Sequence, residues 1–366
     1  MFNWCSQFEL TPKDLPNDGI LFVNHEPQGR GGHLGHALVE YAPGKILAFY
    51  ANCSAVDTQW KGHSGDGWME YKRSTDAGRT WSEPIIEPNS KALYDSGCGR
   101  SMFCEKAVCT DDGTIVLFYV TCDIVTCGHI WEPYCAPRYA FSRDGGETWS
   151  EAYTLVNEPG RIWDAVYHDG KIYVLYSAGE WTSTDNPGYH EYRLYVSGDN
   201  GQTWQLQSVL PLMGTKGCFY GTMAFTEGGT LICYVYDDQD EYNLKLLTST
   251  DCGKSWSKLR RSYFDKMIRN PQMIYFDGTW FMHGRSGHVY PVEGCGNFVL
   301  YASNDGIHWD DGQYLCMKTA GHGAYSNNLV VHDPRGKNRL LIQVSHAYFE
   351  NRTNIFHYWL DHKDTL

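Results

Sequence analysis

Apolar residues in this chain come in short bursts. Runs such as Ile46-Leu47-Ala48-Phe49-Tyr50 and Thr114-Ile115-Val116-Leu117-Phe118-Tyr119-Val120 are of strand length, rich in β-branched and aromatic residues, and bounded by Gly, Asp and Asn. No long segment keeps its apolar residues at helical period. The pattern predicts an all-β protein, and no run is long enough to cross a bilayer as a helix.

A repeated phrase is superimposed on these bursts. Ser74-Thr75-Asp76-Ala77-Gly78-Arg79-Thr80-Trp81 recurs at 142–149, 197–204 and 249–256, and one residue shorter at 303–309. Each copy directly follows a β-rich run, as Tyr192-Arg193-Leu194-Tyr195-Val196 precedes the third, so it marks a place where a strand turns back. Its Asp can accept backbone N–H bonds, its Gly tolerates positive φ, and its Trp can plug the hairpin against a neighbour. The aspartates are therefore read as turn formers, not catalytic groups. Asp76, Asp144, Asp199, Asp251 and Asp305 lie 68, 55, 52 and 54 residues apart, which suits one four-stranded unit and a loop per interval.

The phrase resembles the Asp-box, or BNR repeat, of the sialidase-like superfamily. The resemblance covers nearly the whole chain and implies a six-bladed β-propeller. Five blades carry a box; strands for a sixth are expected at 324–332, 340–346 and 355–361, with 19–24 supplying a fourth from the N-terminal side. A ring closed by the two chain ends hides sheet edges, so residues 1–366 are read as one domain.

A formal charge of −13 without any basic run argues against nucleic acid and anionic membrane as partners. The opening Met1-Phe2-Asn3-Trp4-Cys5-Ser6 lacks the basic and apolar regions of a secretory signal. Thirteen cysteines, an odd number without compact spacing, point to reduced thiols and hence to a cytoplasmic protein. His33-Leu34-Gly35-His36 lacks a third metal ligand, and the acidic run at 237–241 reads as a solvated loop, so no metal or other cofactor is expected.

Polar groups gather at the entrances of the six expected inner strands, just before their apolar interiors. Burying them is costly unless they meet a ligand or each other. His36, Glu105, Arg161, Asp164, Tyr220, Arg269, Asn327 and His346 are candidates on this ground. Ala324-Tyr325-Ser326-Asn327-Asn328-Leu329-Val330 resembles the tyrosine-serine segment of sialidases, which implies Tyr325 as nucleophile; a neutral phenol attacks a carboxylate-bearing anomeric carbon with less repulsion than a carboxylate would. The first blade departs from the family: Leu34 stands where sialidases carry the first of three arginines that grip the sugar carboxylate. Tyr220 stands where the activating glutamate is expected, and Asn243, Lys245, Gly296 and Asn297 lie near the other two arginine positions.

A rebuilt carboxylate clamp would draw on Arg100, Arg161, Arg269 and Arg285. By position within the family's first blade, Asp66 and His63 are the candidate acids, with Asp57 a further one, and Glu105 or His346 would serve as base. The expectation is a carbohydrate-active enzyme on an oligosaccharide or glycoside, an exo-acting glycoside hydrolase for an acidic or deoxy sugar. Two rivals share the scaffold: a lyase using His, Tyr and Arg for β-elimination from a uronic acid, and a glycan-binding propeller without catalysis. The surplus tryptophans, Trp163 among them, suit either sugar stacking or the filling of blade interfaces.

Overall fold

The computed structural model describes residues 4–54, 64–125, 134–179, 191–213, 218–237, 239–287, 296–318 and 323–363. The short apolar bursts become antiparallel strands, grouped into six sheets arranged as the blades of a β-propeller. The first blade runs outward from the axis as Leu38–Ala42, Lys45–Cys53, Gly67–Ser74 and Ile85–Ile86. The next four repeat this order, with Arg100–Cys109, Gly160–His168, Cys218–Phe225 and Arg269–Phe276 as their innermost strands. Second strands such as Ile115–Asp123 and Lys171–Ala178 are covered on both faces, which is why they read as unbroken apolar runs.

The sixth blade consists of Ser326–Val331, Arg339–Phe349 and Arg352–His362, together with two N-terminal strands. Ile20–Val23 pairs with Arg352–His362 around Ile20 and His357, and Phe8–Thr11 pairs further along the same strand, from Phe8 with His362 to Thr11 with Trp359. The sequence reading omits Phe8–Thr11, whose four alternating residues are too few to register as a burst. One α-helix, Pro88–Asp95, follows the first blade; the buried Glu87 side chain caps it by accepting from the Asn89 and Ser90 amides (3.2 and 2.7 Å).

The five repeated phrases form one recurring hydrogen-bonded turn. In the first, the Ser74 hydroxyl donates to Asp76 Oδ1 (2.9 Å) and accepts from the Gly78 amide (2.9 Å), while the Thr80 amide and hydroxyl donate to the Asp76 carboxylate (2.8 and 2.7 Å). Around Asp144, Asp199 and Asp251 the same bonds recur; in the shorter fifth copy His308 replaces the Thr. The Trp then reaches the preceding blade. Trp149 packs edge-on against Phe49 and Tyr71, Trp204 against Phe118 and Tyr139, and Trp309 edge-on against Tyr234 and stacked on Phe264, while Trp81 meets Phe22 and His357 across the ring closure. Gly253 touches the previous blade so closely that a Cβ would sit 2.1 Å from Leu194, and its φ of +79° is one that glycine adopts without strain.

Two outcomes test this account. Trp149→Ala removes a half-buried wedge and is expected to cost about 2–3 kcal/mol, below the usual range for a fully buried Trp, as read by denaturant unfolding. Bonds from the Ser255 hydroxyl and amide and from Ser249 pull the Asp251 carboxyl down to about 2. With the folded value depressed, this stabilisation is fully present above the unfolded value of about 4 and is lost as pH falls toward 2. Asp251→Asn should therefore show a shallower decline in melting temperature between those limits than the parent; parallel declines would exclude the contribution.

Candidate functional site

A buried polar hub crosses the axis. Lys106 Nζ donates to Asn327 Oδ1 (2.7 Å) and pairs with Asp164 Oδ1 (3.1 Å); Asp164 Oδ2 accepts from the Thr222 hydroxyl and the Met223 amide (2.9 and 2.8 Å); the Thr222 hydroxyl accepts from the Met273 amide (3.0 Å). Blades two to six thus meet through four side chains and two backbone amides. The charges pair and the acceptors are filled, as a buried network requires. Asp164 and Asn327, expected to bind substrate, are structural members of this hub.

On the strand-entrance side of the hub lies a recess lined by Leu34, Gly35, His36, Glu105, Arg161, Trp163, Tyr220, Asn270, Gln272, Tyr325 and Ser326. Its space is about 360 Å³ counted out to open solvent, and the volume open to the centres of water-sized molecules is about 30 Å³. Strand pairing is irregular at four of the inner strands where they supply this lining: between Cys104 and Lys106, Ile162 and Asp164, Cys218 and Gly221, and Arg269 and Gln272. Such irregularities re-aim side chains out of strict alternation, and they turn Glu105, Trp163, Tyr220 and Asn270 toward the recess.

Arg161, 2 % exposed, is the central cation. Its Nη2 donates to both Glu105 oxygens (3.0 and 2.9 Å), its Nη1 donates to the Tyr134 hydroxyl (3.0 Å), and its guanidinium lies 4.5 Å from the Trp163 ring centre and 4.7 Å from that of Tyr220. Burial pushes the Glu105 carboxyl up while the Arg161 charge pulls it back. Burial likewise pushes the Tyr220 phenol well up, with Tyr325 and Glu105 adding to it against Arg161, so Tyr220 stays protonated and cannot replace a basic glutamate.

Tyr325 sits among these groups. Its ring centre is 5.9 Å from Tyr220, 6.2 Å from His33 and 5.4 Å from the Arg285 guanidinium. Arg269 and Arg285 face each other across the first two strands of the fifth blade. Arg269 is matched by Glu241 (3.1 Å) and by the Tyr236 hydroxyl (3.1 Å). Arg285, 5 % exposed, has no carboxylate partner among the described residues, and its Nε makes no hydrogen bond. The acidic run expected to be solvated is spent on cations: Asp237 faces Lys245 (3.4 Å), Asp240 faces Arg261 (3.2 Å) and Glu241 holds Arg269.

Other candidates lie elsewhere. Arg100 is exposed at the outer start of its strand. His346 is packed among Phe298, Phe356 and Tyr358 without a hydrogen bond among the described residues, and burial draws it down to about 3. His36 reaches the recess, yet its Nε2 donates to the His33 carbonyl (2.8 Å), its Nδ1 meets the Gln343 amide (3.3 Å), and burial draws it down to about 4. Asp66 is half-buried just before Gly67–Ser74 and outside the recess lining; His63 and Asp57 fall outside the described residues. Asn270 and Gln272 were missed as candidates, although Pro271 inside a strand signals a bulge.

Ring, boxes and axial recess together define a sialidase-like propeller. The BNR repeat-like domain model matches residues 139–330, just over half of the chain, which belongs to that family. A sialidase from Paraclostridium sordellii is 26 % identical over 245 residues, covering 60 % of this chain and 56 % of that protein. The chain thus spans little more than half the length of this curated relative. A Dyadobacter fermentans DSM 18053 protein of unknown function has the same fold with a TM-score of 0.71 at 16 % identity, over 94 % of this chain and 98 % of the other. Hadza microbial sialidase Hz136 follows at 0.67 and 16 %, over 93 % and 68 %.

Arg161→Met should leave the Glu105 carboxylate buried and uncompensated and cost about 3–5 kcal/mol. Adding Glu105→Gln should recover at least half of that loss. Unfolding of the two single variants and the double variant in denaturant measures the coupling, and strict additivity would show that the pair is not a unit.

Proposed function

We propose that this chain is an exo-acting glycoside hydrolase that acts on an acidic or deoxy sugar. The observation that carries the reading is the placement of Tyr325 in the axial recess beside Arg285, a buried guanidinium without a carboxylate partner among the described residues. A buried cation of this kind is relieved by an incoming carboxylate. Tyr325 Oη would attack the anomeric carbon, its proton passing to Glu105, whose carboxyl burial pushes up. Asp66 or His63 would protonate the leaving oxygen, and water would then release the sugar from the tyrosine.

Glycan binding without catalysis is the second reading, favoured by the engagement of Glu105 with Arg161. Elimination by histidine draws no support from His36, bonded on both ring nitrogens, or from His346, packed in the core.

Tyr325→Phe removes one hydroxyl and should lower turnover on the substrate found by glycoside screening by on the order of 10² or more, with an unchanged melting temperature. Wild-type turnover in this variant would remove Tyr325 from the chemistry. With Leu34 at the first arginine position, ordinary α-sialosides should be cleaved poorly or not at all; efficient release from a fluorogenic sialoside at micromolar enzyme would contradict this.

A further inference from the structure

Two buried amides in the recess lack hydrogen bonds at three of their polar atoms among the described residues. Asn270 is 3 % exposed, and both its Oδ1 and its Nδ2 lack a hydrogen-bond partner among the described residues; Gln272 is 6 % exposed and its Oε1 is equally unpartnered. Regular strand geometry does not account for their positions. Pairing shifts between Arg269 and Gln272, the strand passes through Pro271, and the Asn270 backbone is held left-handed at φ 51°. A buried unsatisfied amide and a left-handed non-glycine residue each cost stability, and strain of this kind collects where a ligand is held.

Of the charged groups beside these amides, all but Arg285 are already matched. Glu105 is taken by Arg161, Arg269 by Glu241 and Tyr236, and Asp164 by Lys106, while His283, the strand partner of Gln272, is bonded by Ser326 (2.9 Å) and Asn328 (2.9 Å). What this wall still offers is neutral: two acceptor oxygens and one donor nitrogen. Neutral amides give little preference to a charged group over water, but they match hydroxyls, which donate and accept at once.

We propose that Asn270 and Gln272 form the specificity-determining edge of the recess and bind neighbouring hydroxyls of a pyranose ring. Asn270 Oδ1 and Gln272 Oε1 each accept an O–H, and Asn270 Nδ2 donates to a hydroxyl oxygen. The inference rests on the reading of this recess as a sugar site and adds what is read there: a hydroxyl pattern, with charge left to Arg285. A site built to bond a hydroxyl rejects the analogue that lacks it, because its own polar groups stay unpaired.

The test uses Asn270→Gly, which keeps the left-handed backbone, and Gln272→Met, which keeps the shape without the oxygen. Both are made in the full chain carrying Tyr325→Phe, and calorimetry measures binding of N-acetylneuraminic acid, galacturonic acid, galactose and rhamnose. At least one sugar should bind, each variant should weaken it by roughly tenfold or more, and the sugar-free melting temperature should hold or rise. A deoxy form of the bound sugar, lacking the contacted hydroxyl, should lose affinity for the parent and little further for the variants. Unchanged affinity, a fall in sugar-free melting temperature in both variants, or no binding of any of the four sugars to the parent overturns the proposal. Amide-dependent binding without turnover in the wild-type chain would sink the hydrolase reading alone; turnover with amide-independent binding would sink this inference alone.

Discussion

A propeller must satisfy the inner edges of its sheets. Each innermost strand has a paired side and a bare side, and the bare sides converge on the axis, where their backbone groups need partners. Here side chains do the bonding. The Asp164 carboxylate accepts from the amides of Ala165 and Met223, the Thr222 hydroxyl from that of Met273, and the Asn327 side chain from that of Asn328. One buried carboxylate therefore serves two blades directly and a third through Thr222, and Lys106 balances its charge.

The position of the hub decides where chemistry can occur. A second pocket lies on the far side of the hub, lined by the hub's own Lys106, Asp164 and Asn327 together with apolar residues such as Leu38, Ala107, Ala165 and Met223. The polar recess lies on the entrance side, and the irregular pairing there presents several side chains that strict alternation would turn away. At the rim the boxes hold neighbouring blades together through their tryptophans, so hub and wedges fix a blade at both ends of its width.

The architecture was legible because the box joins a short-range pattern to a long-range contact: its Asp, Gly and Trp are needed in one order for one turn. The site was only partly legible. Tyr325 and Asn327 are two residues apart at the entrance of one strand, yet the first lines the recess and the second belongs to the hub; Arg161 and Asp164 divide in the same way across a bulge. A polar residue at a strand entrance looks the same in either role. Arg100 and His346 misled for the opposite reason, since residue type marked them and only strand length and neighbouring aromatics show one exposed and the other enclosed by Phe298, Phe356 and Tyr358. That Arg285 lacks a carboxylate partner among the described residues while Arg269 has one depends on which carboxylates fold back, and that is a tertiary fact.

The sixth blade has no box, and strands from opposite ends of the chain complete it. The His25 amide donates to Asn354 Oδ1 (2.7 Å) across 329 residues, and the Gly32 amide to Thr353 Oγ1 (2.9 Å) across 321. An open array of repeats can fray from either terminus one unit at a time. Clasped in this way, no blade is terminal, and losing one exposes the flanks of two others. The ring therefore couples the blades into a cooperative whole, and the recess, which draws residues from every blade, keeps its shape only while that whole persists.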